Sequence, residues 1–190
     1  KQKTAYEIPK RDWSSDVCSS DLERKKALEH GKNAIKHIYA WWKKRARIVV
    51  AIEEGFSYEI KDATGESITM TGRFDRIEMI NDELVIIDYK TSTLQSQETV
   101  DENTQLTLYA LAAEQKYQKP VRSLSLVFVH ADACTEVITK RSNEQKERCL
   151  QQIKNTGLSI HVKDFHALPE ARKCSKCPYR ERCVEGRAYG

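Results

Sequence analysis

The sequence predicts a mixed α/β domain. Three observations predict it: helical spacing of apolar residues in the N-terminal part, a change to β-branched and alternating runs from Ile48, and a return to helical spacing from about Glu102. The chain has 190 residues, the usual size of one domain with a hydrophobic core. It is divided here into a poorly defined or artefactual N-terminal segment over residues 1–21, a core over 22–168 and a cysteine cluster over 169–190.

Taken in order, Arg11 to Leu22 fits neither period and is rich in Ser and Asp. It looks like translated sequencing-adapter sequence, so no function is built on it. From Leu22 to Trp42, residues Leu28, Gly31, Ile35, Ile38 and Trp42 recur three or four apart, with Asp21 available as a cap. That spacing predicts an amphipathic helix whose apolar stripe packs in the core, with His37 and the Trp41–Trp42 pair serving packing.

Strands follow over Ile48 to Ile52, Phe56 to Ile60, Ser67 to Ile80 and Leu84 to Tyr89, with Asp62-Ala-Thr-Gly65 and Asn81-Asp82 as turns. An antiparallel meander is expected. Its last strand, Leu84-Val-Ile-Ile, is apolar on both faces and so belongs at the centre of the sheet. A helix is expected from about Glu102 to Tyr117, strands over Leu124 to Val129 and Val137 to Thr139, and a helix over Ser142 to Lys154 opened by the capping box Ser142-x-x-Gln145. After Gly157 the chain reads as irregular.

No run of about 18 apolar residues, secretion signal or anchor motif is visible, so a soluble cytoplasmic protein without membrane contact is expected. Net charge is +4 with pI near 8.7, which suits a polyanionic partner but equally describes an ordinary solvated surface.

The segments Gly72-Arg-Phe-Asp75-Arg-Ile and Leu84-Val-Ile-Ile-Asp88-Tyr-Lys90 place two carboxylates and a lysine on neighbouring strands of one hairpin. Alternate residues share a strand face. Asp88 and Lys90 therefore point one way and Tyr89 the other, and a paired strand brings Asp75 beside them. Two acids at the end of an apolar strand need positive compensation, which a hard cation with oxygen ligands supplies, so Mg²⁺ or Mn²⁺ is expected. Lys90 would orient a nucleophile and offset charge building on a phosphate, and phosphodiester hydrolysis is the reaction this set suits.

With Gln105-Leu-Thr-Leu-Tyr109 and Cys174-x-x-Cys177-x5-Cys183 added in the same order, the chain resembles the RecB-like PD-(D/E)XK nucleases over roughly residues 30–185. That family includes the nuclease ends of RecBCD- and AddAB-type helicases and the CRISPR-adaptation exonucleases. The resemblance implies a restriction-endonuclease-like α/β fold with a mixed central sheet flanked by helices. It also implies an exonuclease acting on DNA in repair or recombination, alone or with a helicase subunit or domain. Asp75 and Asp88 would bind the metal and Lys90 would act in catalysis. Glu53 is similar to an upstream acidic position, with Glu54 its rival and ordinary surface acids the alternative. Gln105 and Tyr109, one helical turn apart, would contact DNA, or else Tyr109 packs in the core.

Three clustered thiols favour a metal over disulfides in a reducing compartment, yet they are one short of four. By resemblance, a [4Fe–4S] cluster would take its fourth thiolate from near the N-terminus, where only Cys18 stands. A zinc-binding interaction domain and a non-catalytic DNA-binding or scaffold module are the rival readings. The family's early Gly-Thr-x-x-His pattern is absent, and His30 and His37 read as helix residues, so the sequence is expected to begin downstream of that ligand.

Overall fold

The computed structural model describes residues 21–45, 47–62 and 64–188. Five strands form one sheet in the order β1 (Ile48–Lys61), β2 (Ser67–Ile80), β3 (Glu83–Lys90), β4 (Val121–Val129) and β5 (Cys134–Thr139). Helices flank it: α1 (Asp21–Lys43), α2 (Gln97–Asp101), α3 (Thr104–Tyr117), α4 (Asn143–His161) and two short ones, α5 (Ala171–Cys174) and α6 (Val184–Arg187). This is the mixed α/β architecture expected of a restriction-endonuclease-like domain. Among the described residues no helix is long and apolar enough to cross a membrane.

By their contacts the described residues fall into two compact units. One holds those up to Phe56 together with Gly72–Arg141, and the other holds Ser57–Thr71 with those from Ser142 onward.

In the first unit β3 is the central strand, because Leu84, Val85, Ile86 and Ile87 are all buried and only a strand covered on both faces accepts four apolar residues in succession. It pairs antiparallel with β2, through a two-residue turn in which Asn81 and Asp82 take φ of 50° and 67°, the left-handed pair that a tight hairpin requires. On its other edge β3 runs parallel to β4, with Asp88 beside Leu126 and Lys90 beside Phe128. β4 then pairs antiparallel with β5. On one face Trp41 of α1 packs against the cluster of Val85, Ile87 and Val127. Residues 84, 86, 88 and 90 face the other way, toward α3.

Several expected bounds shift. The two runs Ile48 to Ile52 and Phe56 to Ile60 are one strand, with Glu53 at φ 49° between them. The helix expected from about Glu102 begins at Thr104, capped by Asn103 through Leu106 N, and a short helix not expected from the sequence, α2, precedes it with Ser96 as its cap. Asp21, expected as a cap, lies within α1. The first expected strand after α3 starts three residues earlier than Leu124, at Val121.

In the second unit the capping box is formed as expected, with Ser142 Oγ accepting from Gln145 N and Gln145 Oε1 from Ser142 N. Gly157, however, does not end the helix. A Cβ there would lie 2.3 Å from Ile68 Cδ1, so the glycine serves close helix–strand packing and α4 continues to His161.

Candidate active site

The site lies in the first unit, where β2 and β3 meet under α3. The pairing register runs to Arg76 opposite Ile87, and one further step sets Asp75 across from Asp88. There the side chain takes over from the ladder: Tyr89 N–H donates to Asp75 Oδ2 at 2.8 Å. That bond holds Asp75 against the strand end and leaves its second oxygen unengaged.

Asp88 is buried at 2% exposure, and Lys90 Nζ lies 2.7 Å from its Oδ2. The ammonium sits off the direction of a hydrogen bond, so this buried oxygen has charge compensation but no directed donor. Lys90 Nζ instead donates to Gln105 Oε1 at 3.1 Å, and Gln105 Nε2 donates to the Tyr109 hydroxyl at 2.9 Å. The Tyr109 hydroxyl in turn bonds Asp88. Four side chains from one strand and one helix thus close a ring of polar contacts.

Burial raises the Asp88 carboxyl above its ordinary range. Lys90 opposes that shift and the nearby Asp75 charge adds to it. Tyr109 is pushed up to about 12, first by burial and then by the Asp88 charge, so its hydroxyl keeps its proton as a donor. Of the two expectations for Tyr109, packing in the core is the one met. Its ring packs edge-on to Phe56 and Phe74, with centroids 5.9 and 5.5 Å away, while the hydroxyl end reaches the carboxylate.

A divalent cation fits these residues. Asp75 and Asp88 each present an oxygen without a directed donor, on adjacent strands, and a hard cation prefers such carboxylate oxygens. Glu53 and Glu54 are placed elsewhere. Glu53 is exposed and 3.7 Å from Arg73, and Glu54 bonds Tyr117 at 2.8 Å and Lys116 at 2.5 Å. Among the described residues no group of three or more His, Cys, Asp or Glu side chains is arranged to hold a metal.

Among the described residues Cys174, Cys177 and Cys183 are not gathered into such a set, and the thiol expectation gains no support from them. Cys174 ends α5 and Cys177 closes the next turn, its N–H donating to Cys174 O at 3.1 Å, while Cys183 Sγ is used locally, accepting from Gly186 N at 3.3 Å to cap α6. Cys18 lies outside the described residues. His37 is half-buried on α1 and His30 exposed, as helix residues.

Sequence reasoning missed the Lys90–Gln105 and Tyr109–Asp88 contacts. The four-residue spacing of Gln105 and Tyr109 was the only signal available, and it shows a shared helix face without showing what that face covers.

The profile of the PD-(D/E)XK nuclease superfamily matches residues 3–184. The chain belongs to the PD-(D/E)XK nuclease superfamily, a membership that implies a nuclease. No curated protein gives a match. Among solved structures the chain is similar to the crystal structure of SSO0001, with 18% sequence identity and a TM-score of 0.48, over 72% of this chain and 60% of that one. The chain thus spans about three fifths of that protein.

Proposed function

We propose that this chain is a RecB-like, divalent-metal-dependent deoxyribonuclease, an exonuclease on single strands or duplex ends that serves DNA repair or recombination in the cytoplasm, alone or beside a helicase subunit. One observation carries this reading: Asp75, Asp88 and Lys90 converge at the ends of two paired strands, with an acceptor oxygen of Asp88 left without a directed donor.

Asp75 and Asp88 would hold Mg²⁺ or Mn²⁺. When bound, the ion polarises a phosphoryl oxygen and neutralises charge on the substrate. Lys90 orients the scissile phosphate and offsets its developing charge, and Gln105, bonded to the ammonium, fixes where that charge sits. Tyr109 donates to Asp88 and holds the carboxylate in place. In this reading Gln105 and Tyr109 face the DNA.

The test is degradation of end-labelled DNA with and without Mg²⁺. Asp88→Ala and Lys90→Ala should each lower the rate by about 10²–10³-fold, the size seen when one electrostatic group is removed from an active site, with circular dichroism unchanged. Undiminished Mg²⁺-dependent cutting by both variants removes the reading.

One observation favours a non-catalytic DNA-binding module instead: two carboxylates converge here, where a three-residue ligand set is absent among the described residues. Calorimetric titration with Mn²⁺ separates the two. A nuclease site binds the ion in a manner that Asp75→Ala and Asp88→Ala each abolish.

A further inference from the structure

The helix α1 carries six basic side chains (Arg24, Lys25, Lys26, Lys32, Lys36 and Lys43) against three acidic ones (Asp21, Glu23 and Glu29), hence +3 of the chain's net +4. Within it Lys25, Lys32, Lys36 and Lys43 follow one another at intervals of seven, four and seven residues. At 100° per residue those intervals confine all four to a stripe about 40° wide and about 27 Å long. All four are exposed. The face opposite carries Trp41 into the core, so the lysines point away from the sheet.

No carboxylate among the described residues lies in ion-pair range of these four ammonium groups. Lys36 bonds only Asn33, at 3.3 Å, and Lys43 sits 5.0 Å from the centroid of the Tyr39 ring. Glu29 lies beside the stripe, and with Leu28, Asn33 and three of the lysines it lines a shallow groove along the helix. The flank of the same stripe is apolar: Leu28, Ile35 and Tyr39 are 60%, 67% and 55% exposed.

We infer that the outer face of α1 is a binding track for an unpaired DNA strand, with the four lysines on phosphates along it and Tyr39 under a base. Charge complementarity selects a polyanion, and the apolar flank selects the strand type. A duplex presents phosphates and leaves Leu28, Ile35 and Tyr39 in water, whereas a single strand offers base faces to the same flank. The inference deepens the nuclease reading above by naming a surface, away from the cutting site, that receives the substrate.

Fluorescence anisotropy with labelled oligo-dT in EDTA, where no cutting occurs, tests it across a NaCl series. The variant K25Q/K32Q/K36Q/K43Q should lower the slope of log Kd against log salt by up to about 3, since each phosphate contacted on a single strand contributes roughly 0.7. The double variant K32Q/K36Q should show about half that change. Tyr39→Ala should weaken oligo-dT binding about tenfold while keeping the slope, as loss of one stacked base does. A duplex of equal charge should bind less tightly than the single strand.

A wild-type slope in the quadruple variant, with its fold confirmed by circular dichroism, overturns the inference. So does unchanged affinity in Tyr39→Ala, or a dimer in sedimentation that Ile35→Glu dissolves, which would assign the face to a second copy. The nuclease reading fails separately: a protein with this binding signature that cuts nothing keeps the track and loses the nuclease, and one that cuts without the signature does the reverse.

Discussion

Asp88 is the residue on which the site's chemistry and its stability meet. Burial raises its folded pKa above the unfolded value, so its contribution to stability is fully present below the unfolded pKa and is lost as pH rises through the folded one. In metal-free protein the ionised carboxylate is therefore a source of instability near neutrality, only part of which Lys90 offsets. Asp88→Asn should raise Tm by a few degrees at pH 7–8 in EDTA and give no gain near pH 4. Scanning calorimetry at both pH values measures it, and a difference that does not change with pH would deny that the charge is responsible. Much of this residue set was legible beforehand, because a period of two puts Asp88 and Lys90 on one face and a hairpin register sets Asp75 opposite. The Tyr109–Asp88 bond was not legible. It depends on how α3 lies over β3, a tertiary relation that leaves no local pattern. Glu53 illustrates the converse: its sequence position suggests a ligand, while its left-handed backbone and exposure pair it with Arg73.

Elements were read well where a single period or cap governs them and poorly where a partner element decides. The capping box that opens α4 and the Asn81-Asp82 hairpin are local devices, and both form as expected. Gly157 and Gly72 are glycines whose meaning lies in a neighbour. At Gly72 a Cβ would stand 2.4 Å from Phe56 Cζ and 2.8 Å from Cε1, and that ring is held 4.5 Å from the centroid of Phe74 and 5.9 Å from that of Tyr109. A methyl group there displaces an aromatic stack that supports Tyr109 under the site. Gly72→Ala should cost about 1–3 kcal/mol, the usual price of overpacking a core. At about 2–4 °C per kcal/mol for a chain of this size, thermal denaturation should register a fall of several degrees. The added Phe56→Leu substitution, which removes the ring from the clash, should restore part of that loss. A Gly72→Ala protein melting with the wild type would show that the ring moves aside freely.

For the molecule as a whole, the mixed class was legible from the order of helices and strands, but the parallel pairing of β3 with β4 was not, because strand direction follows from the α2–α3 crossover and not from either strand's composition. Also invisible was the ionic centre on the face of the sheet that carries Trp41. Glu78 is fully buried on β2. Its carboxylate meets Arg76 at 2.8 Å, Arg45 at 3.2 Å and Arg47 at 3.4 Å, and Arg45 goes on to Glu136 of β5 at 2.7 Å. The guanidinium of Arg45 also lies 4.1 Å from the centroid of the Trp41 ring. One carboxylate thus joins the segment after α1, the entry to β1, and β2, with β5 reached through Arg45. Such a cluster is costly to desolvate, yet once assembled it cannot lose its central charge cheaply, since three guanidinium groups would then face one another with only Glu136 to oppose them. Glu78→Ala should destabilise the fold by about 3–5 kcal/mol, the range for removing one partner of a buried ion pair. Denaturant titration should show the midpoint falling with an unchanged m-value, because the same surface is exposed on unfolding. Glu78→Gln keeps the shape and loses the charge, so an equally large loss there assigns the effect to electrostatics, whereas near wild-type stability would assign it to packing volume.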